Sequence, residues 1–208
     1  MSTLLHINAS ARHDESYSLR TSRAFIEAWL ERTPDGIVET WNLHEDKPPD
    51  FGELASKGKY AIMKGETAPP EATDAWSKVE RTIERFKKAD LLVFSVPMWN
   101  FGIPYVLKQL IDVIVQPGYT FRVDSTGYHG LLTSTKAFVS YARGGSYDES
   151  SGAAALDHQK PYFDQILGFM GIKAPASVVI EPTMAGREKG AEVLEQAMAK
   201  ARDAARLF

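Results

Sequence analysis

The chain has 208 residues, 44% of them hydrophobic and 25% charged, which suits one soluble globular domain over residues 1–208 with a full core. A net charge of −3 and a pI near 6.0 leave no basic footprint for nucleic acid or an anionic membrane surface. With no cysteine there are no disulfides, thiolate nucleophiles or cysteine-held metals; with no leader-like N-terminus and no apolar run near the ~18 residues of a membrane span, the expected compartment is the cytoplasm.

Residues 3–9 (TLLHINA) predict a short buried strand. Residues 17–31 carry Leu19, Phe25, Ile26, Trp29 and Leu30 at helical spacing. Residues 37–43 (IVETWNL) predict a second strand, with Val38 and Thr40 opposite Ile37, Glu39 and Trp41. A polar stretch with "KPPD" and "TAPP" then runs to about residue 71 and reads as loop with one or two helical turns. Residues 72–88 place Trp76, Val79, Ile83 and Phe86 on one helical face; the opposite face, "KVERTIERFKK", is a solvated charge run with Glu84 placed to pair with Lys88.

Residues 90–96 (DLLVFSV) form the plainest strand, apolar enough to be covered on both faces. After "PMWNFGIP" comes a helix with Val106, Leu107, Leu110, Ile111, Ile114 and Val115 inside and Pro104 in its first turn. Residues 119–132 predict a hairpin turning at Asp124–Gly127. A strand at 136–142, a helix at 158–170, a strand at 177–181 and an alanine-rich helix at 187–206 complete the chain. Five strands interleaved with five helices argue an α/β fold, a doubly wound five-stranded parallel sheet with helices on both faces. Placing the most apolar strands centrally gives the order 2-1-3-4-5 of flavodoxin-like folds. The loops after residues 9, 96 and 142 then converge at one edge, where such sheets bind ligands.

Each loop has a chemical character. "ASARHDESYSLR" (9–20) sets Ser10, Ser16 and Ser18 at a helix start, where free amides and hydroxyls suit an anion. Asp14 and Glu15 cancel Arg12 and His13, so the holding groups are neutral dipoles; the plainer alternative is a capping serine in a solvated loop. In the second loop Met98, Trp99 and Phe101 offer an apolar platform, Asn100 a donor and an acceptor, and Gly102 a close backbone approach; the alternative is a plug with Asn100 capping the next helix. "ARGGSY" (142–147) offers amides at Gly144, Gly145 and Ser146 and the Tyr147 hydroxyl; the alternative is a tight turn with Arg143 in solvent. One flat heterocycle joined to a monophosphate, such as FMN, accounts for all three loops together. There is no G-x-G-x-x-G, P-loop or G-x-S-x-G, and the histidines share no metal-ligand spacing; His6 reads as a satisfied core histidine.

At these residues the chain resembles the FMN-dependent NADH:quinone oxidoreductases, also called azoreductases. Ser10 and Ser16-Tyr17-Ser18 match that family's phosphate-binding serines. Pro97-Met98-Trp99-Asn100-Phe101 matches its P-M-Y-N-F segment along the flavin, with Trp for Tyr. Ala142-Arg143-Gly144-Gly145 matches its S-R-G-G, with Ala for Ser, and Tyr147 stands where the family often has His. The resemblance implies FMN as cofactor, NADH or NADPH as donor and quinones or azo compounds as acceptors. It also implies a homodimer, in which Tyr119 and Phe121 cap the substrate face, and Tyr147 as a proton or hydrogen-bond donor. The rival classes are a flavodoxin-type electron carrier and a cofactor-free α/β binding module.

Overall fold

The computed structural model describes residues 2–173 and 175–208. Its elements are β1 (Thr3–Asn8), α1 (Tyr17–Arg32), β2 (Ile37–Asn42), α2 (Glu53–Lys64), α3 (Pro70–Lys87), β3 (Leu91–Pro97), α4 (Tyr105–Ile114), β4 (Phe121–Asp124), β5 (Gly127–Gly130), β6 (Lys136–Ala142), α5 (Lys160–Phe169), β7 (Ala176–Ile180) and α6 (Arg187–Ala204). The main sheet has the order β2-β1-β3-β6-β7 with every pairing parallel. This is the expected flavodoxin-like topology; β4 and β5 form the expected separate hairpin.

The two-residue period of each strand divides its side chains between two cores. Leu92, Phe94 and Val96 pack on one face with Trp76, Val79, Ile83 and Phe86 of α3, Leu107, Leu110 and Ile111 of α4 and Phe163 and Leu167 of α5. Leu91 and Val93 face the other side, against Phe25, Ile26 and Trp29 of α1 and Ala197 and Ala201 of α6. Burial on both faces is why β3 reads as a continuous apolar run.

Three local expectations are corrected. Residues 53–64 form a full helix of 12 residues, α2, instead of loop with one or two turns. Its buried side is made by Ala55 and Gly58, so it shows no apolar stripe in sequence. Pro104 is the residue capping α4 and lies just outside its first turn. Glu84 pairs with Lys87 at 3.0 Å in place of Lys88. No helix among the described residues is long and apolar enough to cross a membrane.

Candidate active site

The loops after β1, β3 and β6 leave the sheet side by side. The Ala9 amide donates to the Ser95 carbonyl at 3.0 Å, and the Met98 amide donates to the Ala142 carbonyl at 2.7 Å. Parallel strands carry every C-terminal end to one edge, so three segments far apart in sequence meet there.

In the first loop Asn8 folds its side chain over the chain that follows. Its Oδ1 accepts from the Ser10 amide at 3.0 Å and its Nδ2 donates to the Ser10 carbonyl at 3.3 Å. Ser10, Ser16 and Ser18 are all buried. Ser16 caps α1, its hydroxyl accepting from the Leu19 amide at 3.2 Å, and lies 3.2 Å from the Ser18 hydroxyl. The first amides of a helix have no intrahelical acceptor. With Leu19 taken by the cap, those of Tyr17 and Ser18 are left for a ligand or water. Ser16 therefore caps the helix as the plainer reading has it, and the cap leaves these two amides available to an anion. Arg12 pairs with Glu15 at 3.2 Å as expected, but Asp14 pairs with Arg23 of α1 at 2.5 Å in place of His13. Tyr17 turns its ring towards α6, where its hydroxyl fills the space beside Gly190. Only its amide faces the loop.

The second loop is a tight reversal. Trp99 and Gly102 exchange both backbone hydrogen bonds at 3.0 Å, with Asn100 at φ 46° and Phe101 at φ 68°. Two left-handed residues in a row make a type I′ turn. Asn tolerates that conformation; Phe does not do so readily, and such strain clusters at functional sites. Gly102 closes the turn without a left-handed backbone of its own. The plug reading is removed, because Trp99 and Phe101 are 38% and 42% exposed and the helix after them is capped by Pro104. The Phe101 ring meets Tyr147 edge-on, centroids 6.2 Å apart, and the Trp99 ring leans towards His44 and Tyr105, each at 5.9 Å.

The third loop departs most from expectation. Arg143 is buried, not in solvent. Its guanidinium donates to Asp157 at 2.6 Å, to Gln159 at 3.0 Å and to Glu181 at 3.3 Å. Its amide donates to the Ile180 carbonyl and its carbonyl accepts from Thr183, so neither its side chain nor its backbone is free to meet a ligand. Among the described residues, no backbone acceptor takes the amides of Gly144, Gly145 or Ser146. Neither glycine has a left-handed φ; at Gly144 the missing side chain makes room for Met184, whose Sδ would lie 3.0 Å from a Cβ there.

Ala142 ends β6 half-buried beside Pro97 of β3, which is its partner in the strand register. Tyr119 and Phe121 do not join these loops within one chain. The Tyr119 hydroxyl donates to Glu80 on α3 at 2.5 Å. Phe121 packs on Phe169 at 4.8 Å, at the far end of α5 from its start beside Phe101, roughly 15 Å away by helix rise. Beneath the edge His6 is buried, its Nε2 2.9 Å from the Ser95 hydroxyl. Burial, and then the Arg23 charge, push its pKa down to about 4, so it is a neutral core group.

Sequence reasoning missed Asp157, Gln159 and Glu181, which lack any local motif and reach Arg143 only through the fold. It also passed over His44, whose Nε2 lies 3.2 Å from the Ala9 carbonyl beside Trp99. The arrangement offers buried hydroxyls and helix-start amides at one end, an exposed aromatic reversal with Asn100 in the middle, and three free amides at the other. Anion, flat ring and ring-edge acceptors are what those donor sets fit, and FMN has all three.

Comparison with known proteins agrees. A family described by its flavodoxin-like fold matches residues 2–205. The FMN-dependent NADH:quinone oxidoreductase of Nitratidesulfovibrio vulgaris strain DP4 is 44% identical over 202 residues, covering 95% of this chain and 97% of that one. The azoreductase from Bacillus anthracis strain Sterne superposes with a TM-score of 0.93 at 29% identity over the whole of both chains. An FMN-dependent NADH-azoreductase from Bacillus anthracis strain Ames Ancestor, crystallised with FMN, gives 0.90 at 26% identity, covering 99% and 98%. The chain therefore belongs to this family of flavodoxin-like fold, among the FMN-dependent NADH:quinone oxidoreductases.

Proposed function

We propose that the protein is an FMN-dependent NADH:quinone oxidoreductase that also reduces azo compounds, with donor and acceptor taking turns at one site. The observation that carries this reading is the meeting of three donor-rich loops at one sheet edge. When bound, FMN supplies the two-electron chemistry, accepting hydride from the nicotinamide and passing the electrons to the acceptor. Ser10, Ser16 and Ser18, with the amides of Tyr17 and Ser18, hold the phosphate through neutral dipoles. Pro97, Met98, Trp99, Asn100 and Phe101 seat the ring, and Asn100 fixes its orientation through polar atoms at the ring's edge. The amides of Gly144, Gly145 and Ser146, beside Ala142, aim donors at the edge where negative charge grows on reduction, an electrostatic role. Tyr147, stacked edge-on against Phe101, is the side chain placed to donate to the acceptor.

The working form is a cytoplasmic homodimer in which the partner's Tyr119 and Phe121 close the substrate face. Their distance from the loops of their own chain supports that assignment. The test is an anaerobic spectrum of the purified protein with FMN. NADH bleaches the flavin bands and a soluble quinone restores them, with parallel double-reciprocal lines in steady state. Intersecting lines contradict alternation at one site, and unchanged bands with NADH contradict the reading altogether.

A further inference from the structure

Arg143 and its partners form a buried polar cluster directly behind the glycine loop. The guanidinium side chain is 3% exposed, Asp157 11% and Glu181 15%. Charged groups are not left in a protein interior without partners, and apolar side chains of similar volume would fill such a space at no loss of stability. The geometry shows what the polar version adds. Glu181 Oε2 accepts from Arg143 at 3.3 Å and from the Tyr147 amide at 3.0 Å, so one carboxylate holds both ends of the segment Gly144–Ser146. Gln159 accepts from Arg143 at 3.0 Å and donates through Nε2 to the Val96 carbonyl at 2.9 Å, just before the Trp99–Gly102 turn. The neighbouring His158 amide donates to the Phe101 carbonyl at 3.0 Å, on the strained residue of that turn. Asp157 accepts from Arg143 and also from the amides of Gln159 and Lys160 at 3.0 and 3.1 Å, which fixes the start of α5. One connected network thus runs from the glycine loop to the aromatic turn.

The cluster also has a sign. Two carboxylates face one guanidinium, leaving one negative charge in excess in a low-dielectric setting. It sits behind the amides that meet the ring edge where negative charge grows on reduction.

We propose that Arg143, Asp157, Gln159 and Glu181 are positioning residues that clamp the glycine loop to the aromatic turn, and that their excess negative charge lowers the reduction potential of the bound flavin. The potential part rests on the FMN reading above; the clamp does not.

The experiment compares wild type with R143M, R143K, Q159M and E181Q. Hydrogen exchange on the apoprotein, read on peptides covering 98–103 and 143–147, is expected to quicken in R143M at both segments and in Q159M at 98–103. FMN affinity, read by flavin fluorescence, is expected to fall at least tenfold in R143M and to recover in part in R143K. E181Q keeps an acceptor for the Tyr147 amide and removes the excess charge. Its two-electron equilibrium is expected to shift roughly tenfold towards the reduced form, about 30 mV. Wild-type exchange at 98–103 in Q159M overturns the clamp, and an unchanged potential in E181Q overturns the tuning. These two variants decide the matter even where R143M does not fold. A wild type that takes up no FMN removes the functional reading, and the exchange arm still decides the clamp.

Discussion

His6 shows how a single buried group makes stability depend on pH. Its folded pKa of about 4 lies below the ordinary histidine value of 6.5, so the unfolded chain binds the proton more readily between those values. Its neutral form contributes fully above pH 6.5, and stability is lost as pH falls from 6.5 towards 4, by up to about 3 kcal/mol. Urea unfolding at pH 7 and pH 5 should show this loss in wild type and much less of it in His6→Gln; equal slopes in both would refute it. Ser140 gives a second case. Its hydroxyl donates to the Ser18 carbonyl at 2.7 Å and lies 2.7 Å from the Ser22 hydroxyl, tying β6 to the first loop. Ser140→Ala should cost about 0.5–1.5 kcal/mol in denaturant unfolding by removing these hydrogen bonds, while the Ser22 hydroxyl keeps the Phe94 carbonyl at 3.3 Å. Site residues were legible in sequence where their chemistry is local, as with Ser16 capping its own helix and facing Ser18. They were not legible where the partner is distant. The buried role of Arg143 was not legible because Asp157 and Glu181 lie 14 and 38 residues further on. The left-handed pair at Asn100 and Phe101 was not legible, because only Asn is a residue that tolerates that conformation readily.

Helices were readable in proportion to the apolar stripe they bury. The α3 face of Trp76, Val79, Ile83 and Phe86 announces itself, whereas α2 exposes Leu54, Tyr60, Ile62 and Met63 and approaches α3 through Ala55 and Gly58. A glycine inside a polar segment reads as a breaker, although here it is the contact. A Cβ at Gly58 would collide with the Ala72 carbonyl and come within 2.8 Å of Trp76 Cβ. Gly58→Ala should therefore destabilise by about 1–3 kcal/mol despite the better helix propensity of alanine. Gly168, exposed in α5 with open space around it, is the counter-case. Gly168→Ala should stabilise by about 0.5–1 kcal/mol. Denaturant midpoints of the two variants moving in the same direction would contradict this account of helix packing.

At the scale of the molecule, the strand order follows from which runs are apolar on both faces. The order and the meeting of three loops are therefore legible in the sequence. What sequence periodicity does not carry is the network behind those loops, since hydrogen bonds between elements leave no period. Nor does it carry the contacts of Tyr119 with Glu80 and of Phe121 with Phe169, which join segments far apart in the chain. The central claim is that the three loops together hold one FMN. The most direct measurement is a fluorescence titration of the apoprotein with FMN, run on wild type, Ser18→Ala, Asn100→Ala and Gly144→Val, one change in each segment. Wild type should saturate at one FMN per chain, and each variant should bind it more weakly. A wild type without saturable uptake, or an affinity that none of the three changes moves, would contradict it.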